Sequence, residues 1–301
     1  MMNFRKAVLR ALRLRGARGT ARSVISKFIP LPISNLDLYR VALANSAGLE
    51  IGGPTSWFED RGALPVYTVL RSLDNCTFAT STMWGTLPEG TTFRFAGNKP
   101  PGKQFICEAS DLRIIESDTY DCVLSSHALE HLANPLKGLL EWKRAIKEGG
   151  YLLLVVPHRD GTFDHKRAIT PFRHILEDFE HNTREDDLTH LDDVLQLHDV
   201  SIDPGVPDIP GLQERSLKNL ENRCMHHHVF DSELVIRLLD YAGLQVLSVD
   251  PALPCNINIL SKKLRHTDRA DNRSFLGPDA NFRKRSPFKT DRVASSSRGQ
   301  F

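Results

Sequence analysis

Leu49-Glu50-Ile51-Gly52-Gly53-Pro54 is a short apolar run that ends in a glycine turn. Glycines in such a turn let the backbone come close to a ligand. Asp74 stands 22 residues after Gly52, just past a second apolar run. An acid about 20 residues after such a turn, at the tip of a second strand, can accept both hydroxyls of a ribose. Glu108 closes a third run, where a carboxylate can take the amino group of an adenine. Three strand ends side by side, each with a suitable group, describe a nucleoside site along the carboxyl edge of an open sheet. Plainer readings stand beside these. Asp74-Asn75 is good turn chemistry, and Glu108 also suits a solvated strand end.

The elements that must position these groups alternate between two periods. Apolar strand-like runs occur at Ala47–Gly52, Val66–Leu70, Gln104–Ala109, Asp121–Ser126 and Tyr151–Val156. Cys76–Phe78 competes with Val66–Leu70 for the second strand. Between the last two runs, apolar residues at 136, 139, 140, 142 and 146 follow the helical period, and Gly149-Gly150 suits the helix end. Asp231 is the expected N-cap of a helix running to Tyr241, with Leu234, Val235, Leu238 and Leu239 on one face. Leu244–Val249 and Ile257–Leu260 follow as two strands without a helix between them. Such an order predicts a Rossmann-like α/β fold: a doubly wound, mostly parallel sheet with an antiparallel edge strand.

The residues quoted so far, with Tyr120-Asp121-Cys122-Val123-Leu124-Ser125-Ser126-His127-Ala128-Leu129-Glu130-His131-Leu132 and Lys147-Glu148-Gly149-Gly150-Tyr151-Leu152-Leu153, resemble the class I S-adenosylmethionine-dependent methyltransferases, the type 11-like subgroup above all. The likeness covers residues 48 to about 157. It implies a methyl transfer with S-adenosylmethionine as cofactor. By that resemblance Glu50, Gly52 and Gly53 line the methionine moiety, Asp74 the ribose, and Glu108 with Ala109 the adenine. His127 would end the fourth strand beside the transferred methyl. The chain departs from the family's turn in one respect: Pro54, Thr55 and Ser56 follow Gly53, and the proline removes an amide donor.

Eleven of the twelve histidines fall between His127 and His228. Those after the fifth strand are interleaved with aspartates and glutamates. In the implied fold the loops there build the acceptor pocket, so these histidines are acceptor-side candidates. An imidazole with an ordinary pKa near ~6.5 can take a proton at neutral pH. His127 is the first candidate base, then His158, directly after Pro157, then His165, beside Asp164. Ligand-like spacings also occur at His127/His131 and His226/His228. The first pair belongs to the family signature and the second to a plain triplet, so no metal ligand is assigned.

Composition sets the remaining bounds. The chain has 301 residues, 41% hydrophobic and 25% charged, ordinary for a globular protein. No apolar run is long enough to cross a bilayer, and arginines break up the N-terminal apolar residues. Five scattered cysteines without a CxxC pair read as reduced core thiols of a cytoplasmic protein. Residues 1–27 carry eight basic groups and no acid, and residues 262–301 carry eleven basic groups against four acids. The body between holds 33 acids against 20 basic groups, so no nucleic-acid partner is expected. The expected organisation is a basic amphipathic segment at 1–27, a methyltransferase domain at 28–261 with an acceptor-side insertion at about 158–230, and a disordered basic tail at 262–301. The basic ends point to peripheral contact with an anionic membrane. The insertion resembles a variant found among bacterial proteins of surface-polysaccharide synthesis. The expected reaction is therefore O-methylation of a small-molecule or glycan acceptor. A catalytically idle binding subunit and a quinone C-methyltransferase are the alternatives.

Overall fold

The structure, a computed structural model, describes residues 33–82, 85–86 and 92–293. The basic segment 1–27 lies outside these residues. Helix α1 (Leu36–Leu43) leads into β1 (Ala47–Ile51). Then come β2 (Ser72–Thr77), a small hairpin of β3 (Ser81–Thr82) and β4 (Gly85–Thr86), β5 (Thr92–Phe93), β6 (Gly102–Ile106) and β7 (Tyr120–Ser126). Helix α2 (Pro135–Ala145) and β8 (Ile146–Pro157) follow. After β8 comes an insertion, described below, and then a closing unit whose last strands are β9 (Leu244–Ala252) and β10 (Asn256–Lys263).

The described residues form an eight-stranded sheet in the order β5-β6-β2-β1-β7-β8-β10-β9. The five strands from β6 to β8 run parallel, while β10 is antiparallel to both β8 and β9. Successive side chains of a strand point to opposite faces, and both faces here are covered. Leu49, Ile51, Val123, Leu152, Leu154 and Ile257 pack on the face that α2 and a late helix cover, with Leu139, Trp142 and Leu238. Leu73, Cys122, Leu124, Leu153 and Val155 pack on the other face, with Tyr39 and Leu43 of α1. This two-sided burial is why the strands read as continuous apolar runs.

Three expectations are corrected here. Val66–Leu70 is not the second strand: Tyr67–Val69 is a 3-10 turn and the strand is Ser72–Thr77. Val66, Tyr67 and Leu70 are buried as a pad over the sheet, and a short apolar run does not distinguish those two fates. Gly149-Gly150 does not close the helix. Ala145 ends it, Asn134 and Pro135 begin it, and both glycines lie in the first residues of β8. At Gly150 a Cβ would meet the Asp121 carbonyl oxygen at 2.5 Å.

The third correction concerns the tail. Residues 262–293 are ordered against the body, with short helices at Arg273–Leu276, Asn281–Arg285 and Lys289–Arg292. Phe282, Phe288 and Asp291 are buried there. Arg283 pairs with Glu233 in the same interior, so part of the tail's basic charge is spent on internal pairing. The polar composition hid a few apolar residues that are enough to anchor the segment.

The insertion between β8 and the closing unit holds α3 (Phe172–Glu180), α4 (Leu191–Leu197), α5 (Ile209–Leu217) and α6 (Asn219–Asn222), with its own small core of Val194, Val206, Leu212 and Met225. Arg167 is its keystone. Its buried guanidinium donates to Asp164, Asp193 and the carbonyls of His226 and His227. The chain returns to the body at α7 (Ser232–Tyr241), where Asp231 caps the helix by accepting from the Leu234 amide.

Candidate functional site

A cavity of about 790 Å³ opens at the carboxyl edge of the parallel strands, within the range of about 300–1,000 Å³ usual for small-molecule sites. The ends of β1, β2, β7 and the segment after β6 form its floor. Gly52, Gly53, Glu108, Ala109 and His127 line it. Glu50, Asp74, His158 and His165 do not.

The glycine turn is built from below. Gly52 has φ +80°, a conformation glycine adopts without strain. At Gly53 an ideal Cβ would sit 2.1 Å from the Glu50 carboxyl carbon, so a side chain has no room there. Asn75 holds the main chain of Gly53 from both sides, accepting from its amide at 3.0 Å and donating to its carbonyl at 3.2 Å. The Tyr67 hydroxyl donates to the Glu50 carboxyl at 2.8 Å and accepts from the Thr55 amide at 2.9 Å. Burial pushes the Glu50 pKa up to about 8, against the opposing pull of the Tyr67 hydrogen bond. Glu50 is therefore a neutral strut beneath the turn and not a lining residue, a correction to its expected contact with the methionine moiety.

Asp74 is also corrected. It lies in the middle of β2, paired with Leu49, and not at the strand tip. Its carboxylate accepts from the Lys103 amide and the Tyr120 hydroxyl, both at 2.7 Å. The tip of β2 brings Thr77, Phe78 and Ala79 to the cavity instead. Among the described lining residues Glu108 is the one carboxylate, and it is paired with Arg223, which donates to Oε1. The same guanidinium lies over the Phe78 ring, 5.1 Å from its centroid. Arg223 comes from the insertion and was not legible in the sequence, because its partner is 115 positions away.

His127 stands in the wall at the end of β7, with a backbone φ of +54°. Its Nε2 is 2.6 Å from Asn256 Oδ1, and its Nδ1 is 3.7 Å from Glu130 Oε1. Asn256 reaches this edge because β10 is reversed: its first residue pairs with Pro157, the last of β8. Glu130 is fully buried, and burial raises its pKa. His131 also lines the cavity. Burial holds its pKa well below the ordinary value, with the charge on nearby His226 acting in the same direction. For His226, burial disfavours the charge, but Asp164 at 2.6 Å and Glu130 outweigh it and raise the pKa.

The other two candidate bases are structural, and this corrects their expected role. His158 is wholly buried, with Nε2 3.2 Å from Asp291 Oδ1 in the tail and its ring stacked on Phe288. Its Nδ1 accepts from the Asp160 amide, so both nitrogens are engaged. His165 pairs with Asp199 at 3.1 Å within the insertion. Both point into packing, because the chain turns away from the sheet edge after Pro157.

A doubly wound sheet with a reversed next-to-edge strand, a glycine turn braced over a buried acid and an adjoining cavity define a Rossmann-like nucleotide-cofactor enzyme. A family model described as "Methyltransferase domain" matches residues 46–249, and the chain belongs to that family, the S-adenosylmethionine-dependent class I methyltransferases. No curated protein matches the chain. Similar solved structures include an S-adenosylmethionine-dependent methyltransferase from Mesorhizobium loti, with 12% identity over 75% of this chain and 95% of that one, TM-score 0.44. Another is an S-adenosylmethionine-dependent methyltransferase from Methanosarcina mazei, with 12% identity over 78% of this chain and 99% of that one, TM-score 0.44. As a member of that family the protein is a methyltransferase with S-adenosylmethionine as cofactor. The cavity suits that group by volume, by the side-chain-free wall at Gly53 and by the acid at Glu108. Among the described residues no helix is long and apolar enough to cross a membrane.

Proposed function

We propose that the protein transfers a methyl group from S-adenosylmethionine to a hydroxyl of a small-molecule or glycan acceptor, with His127 as the general base. The observation that carries this reading is the place of His127. It is a partly exposed imidazole in the cavity wall, held by Asn256 on one nitrogen and backed by buried Glu130 on the other. The cofactor supplies an electrophilic methyl carbon that already bears a good leaving group, so the chain's own task is positioning and exclusion of water.

Gly52 and Gly53 offer main chain to the methionine end, and Glu108 with Ala109 the adenine end. A hydroxyl is far too weak an acid to be ionised at neutral pH, so its attack needs a base within about 2.6–3.2 Å. With Nε2 donating to Asn256, His127 takes the hydroxyl proton at Nδ1 as the oxygen–carbon bond forms and the carbon–sulfur bond breaks. Asn256 keeps the ring turned toward the cavity, and the Glu130 carboxyl faces the imidazolium that results. His131, held neutral by burial, gives the same wall a polar group without charge. Trp57, Thr55 and Ser56 add an aromatic face and two hydroxyls to the lining, surfaces suited to a polyol.

The test is transfer of labelled methyl to a panel of sugar and small hydroxyl acceptors. His127→Ala should lower turnover by about 10²–10⁴-fold while leaving S-adenosylhomocysteine affinity nearly intact. Parental turnover in that variant would remove the histidine base and shift the acceptor away from a simple hydroxyl.

A further inference from the structure

Nine of the histidines lie in the insertion, and three of them converge with an aspartate at a place the methyl-transfer site does not use. His174 and Asp178 are one helical turn apart on α3, so both project from the same face. His190 is the residue just before α4, and His228 lies on the segment that returns from the insertion to α7. A ring nitrogen from each of the three histidines and one oxygen of Asp178 all lie within 4.8 Å of one another. His174 Nε2 is 3.1 Å from His190 Nε2 and 3.4 Å from Asp178 Oδ2.

The two shortest of these spacings are close to the edge of a coordination shell. Four ligands at about 2.0–2.1 Å around a tetrahedral zinc stand roughly 3.3–3.4 Å apart. The protein by itself does not satisfy the cluster. One proton between His174 and His190 serves those two rings. Asp178 Oδ2 and His228 Nδ1 stay buried with no hydrogen-bond partner, an arrangement that costs free energy unless another group completes it. The outer contacts are those that orient ligands. Thr183 donates to the second carboxylate oxygen, Asp178 Oδ1, at 3.0 Å, and His228 Nε2 lies 3.3 Å from the Ala133 carbonyl.

We propose that His174, Asp178, His190 and His228 bind one divalent transition-metal ion, with zinc as the ion of best fit. Three imidazoles and a carboxylate are borderline ligands that suit zinc and its neighbours rather than calcium or magnesium. Four protein ligands close the shell, which marks a structural rather than a catalytic ion. The ion ties α3, the start of α4 and the returning segment into one body. The same segment carries His226, two residues before His228, against His131 of the cavity wall and the buried Glu130. The ion thus fixes the insertion to the wall beside the reacting groups. The proposal is independent of which acceptor is methylated.

The test uses the full chain. The protein is stripped with a chelator, refilled with zinc(II), desalted and analysed for metal by mass spectrometry. One zinc per chain is expected, and cobalt(II) in its place should show the visible bands of a four-coordinate ion. His190→Ala and His174→Asn change partly exposed positions. Each should weaken zinc binding by more than the roughly 10–100-fold that loss of an outer-shell partner costs, while circular dichroism and S-adenosylhomocysteine binding persist. A refilled parent that holds no zinc and gives no four-coordinate cobalt spectrum would overturn the proposal whatever the variants do. Full metal retention with an unchanged cobalt spectrum in both variants would do the same.

Discussion

The C-terminal segment gives the sharpest test of how this fold is held. Asp291 is buried, and its carboxylate accepts from Ser232 Oγ at 2.8 Å, Ser286 Oγ at 2.6 Å, the Ser232 amide at 3.3 Å and His158 Nε2 at 3.2 Å. Asp291→Ala leaves all of these donors buried without an acceptor. Each buried donor left without an acceptor costs about 1–3 kcal/mol, and the four together, partly relaxed, come to about 3–5 kcal/mol. For a domain of this size each kcal/mol moves the midpoint by about 2–4 °C, so the loss should be roughly 6–20 °C. Burial alone would raise the Asp291 pKa, but His158 and the two serines outweigh it and hold the group below the ordinary range. A depressed carboxylate pKa stabilises the fold above the unfolded value and loses that contribution as pH falls through the folded value. The gap between parent and variant should therefore narrow on acidification. Deleting residues 264–301 also removes buried Phe282 and Phe288, at about 1.5–3 kcal/mol each. Against a total of about 5–15 kcal/mol, that truncation should abolish cooperative melting. The assay is thermal unfolding followed by circular dichroism at neutral and acid pH. An Asp291→Ala midpoint within about 2 °C of the parent would mean the clamp carries less than about 1 kcal/mol and would refute the reasoning.

Gly53→Ala should lower S-adenosylhomocysteine affinity at least about tenfold, or about 1.4 kcal/mol, because the new Cβ would lie 2.1 Å from the Glu50 carboxyl carbon and the turn must move; unchanged affinity by titration calorimetry would show a turn that yields freely. Asp74→Ala should leave cofactor affinity unchanged and instead cost about 1–3 kcal/mol of stability, since it orphans the Tyr120 hydroxyl and the Lys103 amide; a selective loss of cofactor binding would restore Asp74 to the site. Glu50, ordinarily near ~4.3 in an unfolded chain, titrates at about 8 in the fold because of burial. Between those values the folded state holds the extra proton, so stability should fall as pH rises, by up to about 1.4 kcal/mol per unit. Urea denaturation across that window should show the slope in the parent and its loss in Glu50→Gln; the same slope in both would place it on another group.

What the sequence determined is what local pattern can encode. Strands buried on both faces are apolar at most positions, so β1, β7 and β8 stand out as runs. Asp231 caps its helix through an amide three residues on, and the signature from Tyr120 to Leu132 keeps its meaning because strand and loop are contiguous. The positions of single side chains were another matter. Asp74 has the right spacing from the glycines, yet two neighbouring groups, Lys103 and Tyr120, take its carboxylate. His158 has the right place after a strand, yet a tail that reads as polar brings Asp291 and Phe288 to its ring. Asn256 and Arg223 have no local mark at all: a reversed strand carries one to the carboxyl edge, and the other crosses from the insertion to Glu108. The histidine-rich stretch announced itself only as composition, and four residues from three elements became a cluster through the packing of α3 against the returning chain. A side chain's period along the backbone is set within a few residues, whereas the group it meets is set by partners up to hundreds of positions away, and only the folded core brings those together.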